Sequence, residues 1–396
     1  MILSHTEPFK TIQLSIYFSE KLNKETISYR FLLSNLLISY SNRYPNKRAL
    51  TDAFLKLYGA HVQSQVFTFG EYHITKINLT IPNPIFIGDY DFVDELFDIV
   101  EDMIFKKISF DNENFLSSKR ILIKNIETKS ERKFEYAKDK LFETAYKNTI
   151  HQFSLTGTKE ELIKIEPNEL LNYYKNVFLN NDIRIIVNGK LDDMFISKLM
   201  RFERYENISI KYDDKVINHE KIIEKSDKFS NYQNFIFLGY SLGINRYHPR
   251  YMDVQLISKL LAQYPNSYLF KTFRETLHLA YEVESFYEYD KGDFYIYALV
   301  DRNNQNAADI LIDLVNNFIL DGITEEMVRE VKTFFKTEYS SMLDDPQSYN
   351  PRLFIHSILD IKMDTLDELL DKVTVETMND ALKYFKLFLK YELKGK

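Results

Sequence analysis

Asn266-Ser267-Tyr268-Leu269-Phe270, followed by Arg274-Glu275 and Leu279-Ala280-Tyr281, reads as a helix end, a short break, a second helix and the start of a β-strand. Arg274 and Tyr281 stand seven residues apart across a helix-to-strand junction, where both side chains can face one cavity. Taken alone, the same pair also fits a solvated helix arginine and a half-buried strand tyrosine. The elements on either side decide what the stretch belongs to. Before it lie a strand, Phe235 to Tyr240, and a helix carrying Leu256-Ile257-Ser258-Lys259-Leu260-Leu261. After it come a hairpin turn at Lys291-Gly292-Asp293 and a helix through Ile310, Leu311, Leu314 and Phe318. Gly322-Ile323-Thr324-Glu325-Glu326 then opens a long helix, with Thr324 three residues before Met327 and two acids in the first turn.

The first half of the chain runs through the same order. Ile12, Leu14, Ile16 and Phe18 alternate as in a half-buried strand, and Glu25 to Ser39 is apolar on a helical period. A second helix from Lys47 to Leu57 is closed by Gly59 at a left-handed cap position. Val62–Phe69 and Tyr72–Ile81 form a hairpin at Gly70-Glu71, a helix spans Phe92 to Phe105, and Asp111 opens a long one. Leu32-Leu33-Ser34-Asn35-Leu36-Leu37 is the counterpart of 256–261. Residues 204–230 are charged and short of large apolar groups, as in a linker. The expected fold class is therefore α+β, with two homologous domains, 1–203 and 231–396. Each is expected to be an antiparallel sheet with helices packed on one face.

Composition narrows the function. A net charge of −7 argues against nucleic-acid and anionic-membrane partners. Without cysteine there is no disulfide, thiol nucleophile or thiolate metal site. No apolar run of spanning length and no leader-like start occurs, so a cytoplasmic location is expected. No Gly-x-Ser-x-Gly elbow supports a serine hydrolase. The acid-rich segments 89–101 and 364–371 read as helix faces in water. Tyr287, Tyr289, Tyr295 and Tyr297 alternate on a hairpin, where they line a cavity or pack.

The repeat, the pattern from Ser267 to Tyr281 and the segment Asp321-Gly-Ile-Thr-Glu-Glu together resemble the pitrilysin and mitochondrial-processing-peptidase family of zinc peptidases. One departure is His278, where the family usually has Gly. In active members the first half carries His-x-x-Glu-His on its first helix and a further Glu on the long helix, giving an open zinc site and a base. The matching positions here are Phe31, Ser34 and Asn35, with Ser117 and Ser118 where the third ligand belongs. No two of the eight His are three or four residues apart, so no shift of alignment restores the motif. His61 and His73 lie on opposite strands of one hairpin and could approach each other, but with no acid near at suitable spacing they read as a chance pair. The chain itself is thus expected to hold no metal and to need no cofactor. Arg274 and Tyr281 are retained, and the resemblance implies that they act in a partner's site. The guanidinium would hold a peptide carbonyl and the phenol would donate to the oxyanion. The implied role is the zinc-less subunit of a heterodimeric processing peptidase, with a homologous zinc-containing subunit and a peptide substrate as partners. The alternative is an inert scaffold or peptide-binding protein of the same fold.

Overall fold

The computed structural model describes residues 1–7, 9–107, 109–210, 216–230, 232–360 and 365–395. Two five-stranded sheets organise it. The first holds β1 (Ile2–His5), β2 (Thr11–Lys21), β3 (His61–Phe69), β4 (Tyr72–Pro82) and β5 (Asp182–Gly189), in the order β1-β5-β2-β4-β3. The second holds β6 (Ile223–Phe229), β7 (Gln233–Ser241), β8 (Ala280–Glu288), β9 (Asp293–Asp301) and β10 (Lys386–Gly395), in the order β6-β10-β7-β9-β8. The two orders are the same topology written twice, which bears out the repeat. The sheets are mixed rather than purely antiparallel, because β1 pairs with β5 and β6 with β10 in parallel. Part of the expected linker is therefore the edge strand β6; its residues 211–215 lie outside the described residues.

In the first unit, α1 (Lys24–Leu37) begins at Asn23, whose side chain accepts from the Glu25 amide. The apolar residues of α1 (Leu32, Leu33, Leu36, Leu37) pack on Ile12, Leu14, Ile16 and Phe18 of β2 and on Ile77, Leu79 and Ile81 of β4. Next come α2 (Lys47–Lys56), α3 (Asp91–Ile104), α4 (Asn112–Glu127) with Asp111 as its cap, and α5 (Pro167–Asn176). Not all acids of α3 face water: Glu101 is fully buried and paired with Lys106 at 2.6 Å and Arg201 at 3.0 Å. A buried carboxylate needs such cations to offset its desolvation.

The two compact units are not contiguous halves. The first consists of Met1–Tyr136, Asn148–Tyr212 and Met342–Lys362, the second of Ala137–Lys147, Asp213–Ser341 and Met363–Lys396. The inserted pieces cover the sheet faces that the sequence reading left bare. In the first unit, the helix Tyr349–Leu359 places Tyr17 in a stack with Phe354 (4.0 Å between ring centres). The same helix sets Asn350 Nδ2 to donate to Gln13 O at 3.0 Å and Ser15 Oγ at 2.9 Å. In the second unit, Tyr146 donates to Asp293 Oδ2 at 3.0 Å and Tyr295 donates to Tyr146 Oη at 2.8 Å. Lys138 pairs with Glu288 at 2.9 Å beneath them. Helical periodicity shows that such a segment has an apolar face, but it does not identify the sheet that receives it.

Candidate functional site

The helix on which the resemblance places the metal ligands, α1, is present, but its polar groups turn back upon it. Ser34 Oγ donates to Phe31 O at 2.8 Å and Asn35 Nδ2 to the same carbonyl at 2.9 Å. Neither a hydroxyl nor an amide so placed supplies the charged or imidazole donors that zinc requires. Among the described residues no group of three His, Asp or Glu could hold a metal ion. His61 and His73 do not approach each other: His61 is opposite Thr80 and His73 opposite Thr68, near the two ends of the hairpin. The donor set does not fit zinc.

One turn earlier on α1, Arg30 is completely buried. Its Nη1 donates to Phe18 O at 2.9 Å and Thr75 Oγ1 at 3.0 Å, and Nη2 donates to Asn181 and pairs with Glu20 at 2.9 Å. Glu20 also accepts from Tyr173 Oη at 3.0 Å and Thr26 Oγ1 at 2.7 Å. Burial works to raise the Glu20 pKa, but the charge and hydrogen bonds of Arg30 outweigh it and the net shift is downward. Beside them His73 is fully buried with both ring nitrogens unpartnered. Burial, then the Arg30 charge, pushes its pKa down to about 2. This helix is therefore fastened to β2, β4 and α5 by an arginine-centred polar cluster.

Beyond the last turn of α1 lies a cavity of about 210 Å³ lined mainly by apolar groups, among them Ile38, Leu50, Phe54, Ala60 and Val62. It contains no carboxylate.

The second unit differs in its backbone. The helix Tyr251–Ser258 passes into π-helical winding over Lys259–Gln263, and a second π-helical segment spans Phe270–Thr276. Their counterparts α1 and α2 are regular. Arg274 lies on the second π segment, exposed, with its guanidinium 4.5 Å from the Phe270 ring centre. The chain then passes through His278 in the left-handed region, φ 52°. A β-carbon makes that conformation costly, which is why glycine suits the position. Leu279 N donates to Phe273 O at 3.1 Å, and Asn304 Nδ2 donates to Leu279 O at 3.3 Å, fixing the junction. Ala280 pairs with Val300 and Glu282 with Leu299, so Tyr281 is the extra residue of a β-bulge. Tyr281 is 56% exposed. Arg274 and Tyr281 thus emerge from one short irregular segment, both open to solvent. No hydrogen bond joins them among the described residues.

The hairpin tyrosines divide between the two sheet faces and pack. Tyr287 donates to Ile244 O, Tyr297 donates to Glu282 at 2.5 Å, and Tyr295 is held by Tyr146. They do not form a single lined cavity. The sequence reading missed Arg30 and considered His73 only as a partner for His61; an arginine inside an otherwise apolar helix face, Ile27 to Leu37, was the available signal.

Comparison with known proteins agrees with this geometry. Residues 164–335 match the family described as "Peptidase M16 inactive domain". The chain is 22% identical to the "Probable inactive metalloprotease YmfF" of Bacillus subtilis (strain 168), over 98% of this chain and 94% of that protein. It is 23% identical to the "Antilisterial bacteriocin subtilosin biosynthesis protein AlbE" of Bacillus subtilis, over 96% and 95%. The crystal structure of a peptidase M16 inactive domain from Pseudomonas fluorescens superimposes with a TM-score of 0.82 at 14% identity, covering 100% of this chain and 95% of that one. The chain is thus similar over nearly its whole length to inactive members of the M16 peptidase family, and its first helix carries Phe31, Ser34 and Asn35 where the resemblance places metal ligands.

Proposed function

We propose that the chain is the zinc-less subunit of a two-chain peptide-processing metallopeptidase. In this reading it lends Arg274 and Tyr281 to the site of a homologous His-x-x-Glu-His subunit. The observation that carries this reading is local. Two π-helical segments, a left-handed His278 and a bulge at Tyr281 all fall between Lys259 and Tyr281, while the equivalent helices of the first unit are regular. Departures of this kind are costly and concentrate where a side chain must be aimed. The similarity to a bacteriocin biosynthesis protein supports a peptide as the substrate class.

The chemistry assigned to this chain is electrostatic. The guanidinium holds a substrate carbonyl with forked donors, and the phenol donates to oxygen as negative charge develops there. The partner's zinc supplies the activated water. Steady-state kinetics of the reconstituted pair tests the assignment. Tyr281→Phe keeps the ring and lowers turnover by roughly 10-fold to 1000-fold, the range for loss of one oxyanion donor. Arg274→Lys weakens substrate binding as well, because a point charge cannot reproduce the fork. Chromatography establishes that each variant still assembles. A second reading, an inert scaffold or peptide-binding protein, is favoured by the stacking of Arg274 on its own Phe270. A double variant that assembles and cleaves at the wild-type rate would establish that reading instead.

A further inference from the structure

An arginine that is to hold a carbonyl needs a fixed plane and free N–H groups. The two demands conflict when an ion pair sets the plane, because the pair occupies the donors. Arg30 is oriented by Glu20, Arg184 by Asp182, Arg201 and Arg204 by Glu101, and Arg250 by Asp380. Arg274 is different. Among the described residues its guanidinium has no ion pair and no hydrogen bond, although Glu275 follows it and Glu282 and Glu284 stand on β8. What touches it is a ring: the guanidinium lies over Phe270, 4.5 Å from the ring centre.

Packing does not account for Phe270. Leu269 and Phe273 are fully buried in the apolar core of the second unit and Tyr268 packs against that core, whereas Phe270 is half-buried and outside it. Among the described residues its ring stacks on no other ring. Four residues separate Phe270 from Arg274, about one turn, so the two side chains are neighbours on one face of the segment.

We infer that Phe270 is a positioning residue for Arg274, holding the plane of the guanidinium while leaving its N–H edge open to a substrate carbonyl. The assignment rests on the reading of Arg274 and Tyr281 as donors to a partner's site, and takes the stack as what prepares the fork. A guanidinium over a ring face is attracted by the ring quadrupole and spends none of its in-plane donors. A free arginine side chain would have to be ordered as the substrate binds, which costs affinity; the ring removes part of that cost beforehand. The stack exists before substrate arrives, so its loss weakens ground state and transition state alike and appears in KM rather than kcat.

Two measurements test it. In the isolated full chain with isotope-labelled arginine, the Arg274 side-chain protons resonate upfield under the Phe270 ring current, Arg274→Lys assigns the signal, and Phe270→Leu abolishes the shift. Unshifted protons in wild type would overturn the inference without touching the reading it rests on. In the reconstituted pair, Phe270→Leu raises KM by roughly 2-fold to 5-fold with kcat nearly unchanged, the worth of one exposed cation–ring contact. Phe270→Tyr keeps a ring face and retains the wild-type KM. Because Phe270 lies outside the core, both variants are expected to melt with wild type. In an Arg274→Ala background Phe270→Leu adds nothing further, since the ring acts only through the guanidinium. If Arg274→Ala raises KM but Phe270→Leu does not, or if the two losses add, the inference falls and the role of Arg274 stands. If Arg274→Ala leaves the kinetics unchanged, both fall.

Discussion

His73 lies in the first unit beside Arg30, fully buried, and its pKa is about 2 against an ordinary 6.5. In the folded chain its ring stays neutral throughout the mildly acidic range, whereas the unfolded ring takes a proton near pH 6.5. A proton therefore binds the unfolded chain in preference, and acid favours unfolding. The His73 contribution is fully present above pH 6.5 and is lost progressively as pH falls from there toward about 2. Each pH unit in that window costs about 1.4 kcal/mol, so this one ring removes roughly 2 kcal/mol at pH 5. The perturbation is His73→Phe, which keeps a planar ring and cannot be protonated. The assay is urea denaturation from pH 8 to pH 5, with hydrogen exchange of the β2 and β4 amides to report the first unit itself. Other titrating groups are common to both proteins and cancel in the difference. Among them is Lys107, whose pKa burial lowers to about 7. Wild type should lose about 2 kcal/mol more than the variant on going to pH 5. Parallel stability curves would show that the ring is hydrated or paired and that the reasoning is wrong.

Three further outcomes are expected. The purified chain retains no stoichiometric zinc after dialysis, because Phe31, Ser34 and Asn35 offer no ligand; about one bound zinc per chain, lost on changing a His, would contradict this. His278→Gly relieves a left-handed residue at φ 52° and stabilises the second unit by about 0.5–1 kcal/mol, read as a rise in its denaturation midpoint. A fragment ending at residue 212 lacks the helix that covers Gln13, Ser15 and Tyr17, so it does not give cooperative unfolding until the segment 342–362 is supplied.

The sequence by itself determined the repeat, the class of fold and the loss of the metal motif. These depend on local periodicity and residue identity: alternation in 12–18, helical spacing in 25–39, the Thr324 cap, and Phe, Ser and Asn where ligands belong. Met327 N does donate to Thr324 Oγ1, at 3.3 Å. Arg274 and Tyr281 could be singled out by type and spacing, but their exposure could not, since it follows from a π-helical turn and a one-residue bulge. Tertiary structure alone decided the rest. The parallel edge strands β1 and β6 are short or charged and acquire strand identity only from the neighbour that pairs with them. Arg30 reads as an ordinary polar residue, and His73 as a strand histidine across from His61, until separate elements close around them. The helices Lys133–Ala145 and Tyr349–Leu359 each carry apolar residues to be buried, and only the sheet faces that receive them show which unit each completes. Local sequence sets which side of an element is apolar; the partner that buries it is a property of the assembled chain.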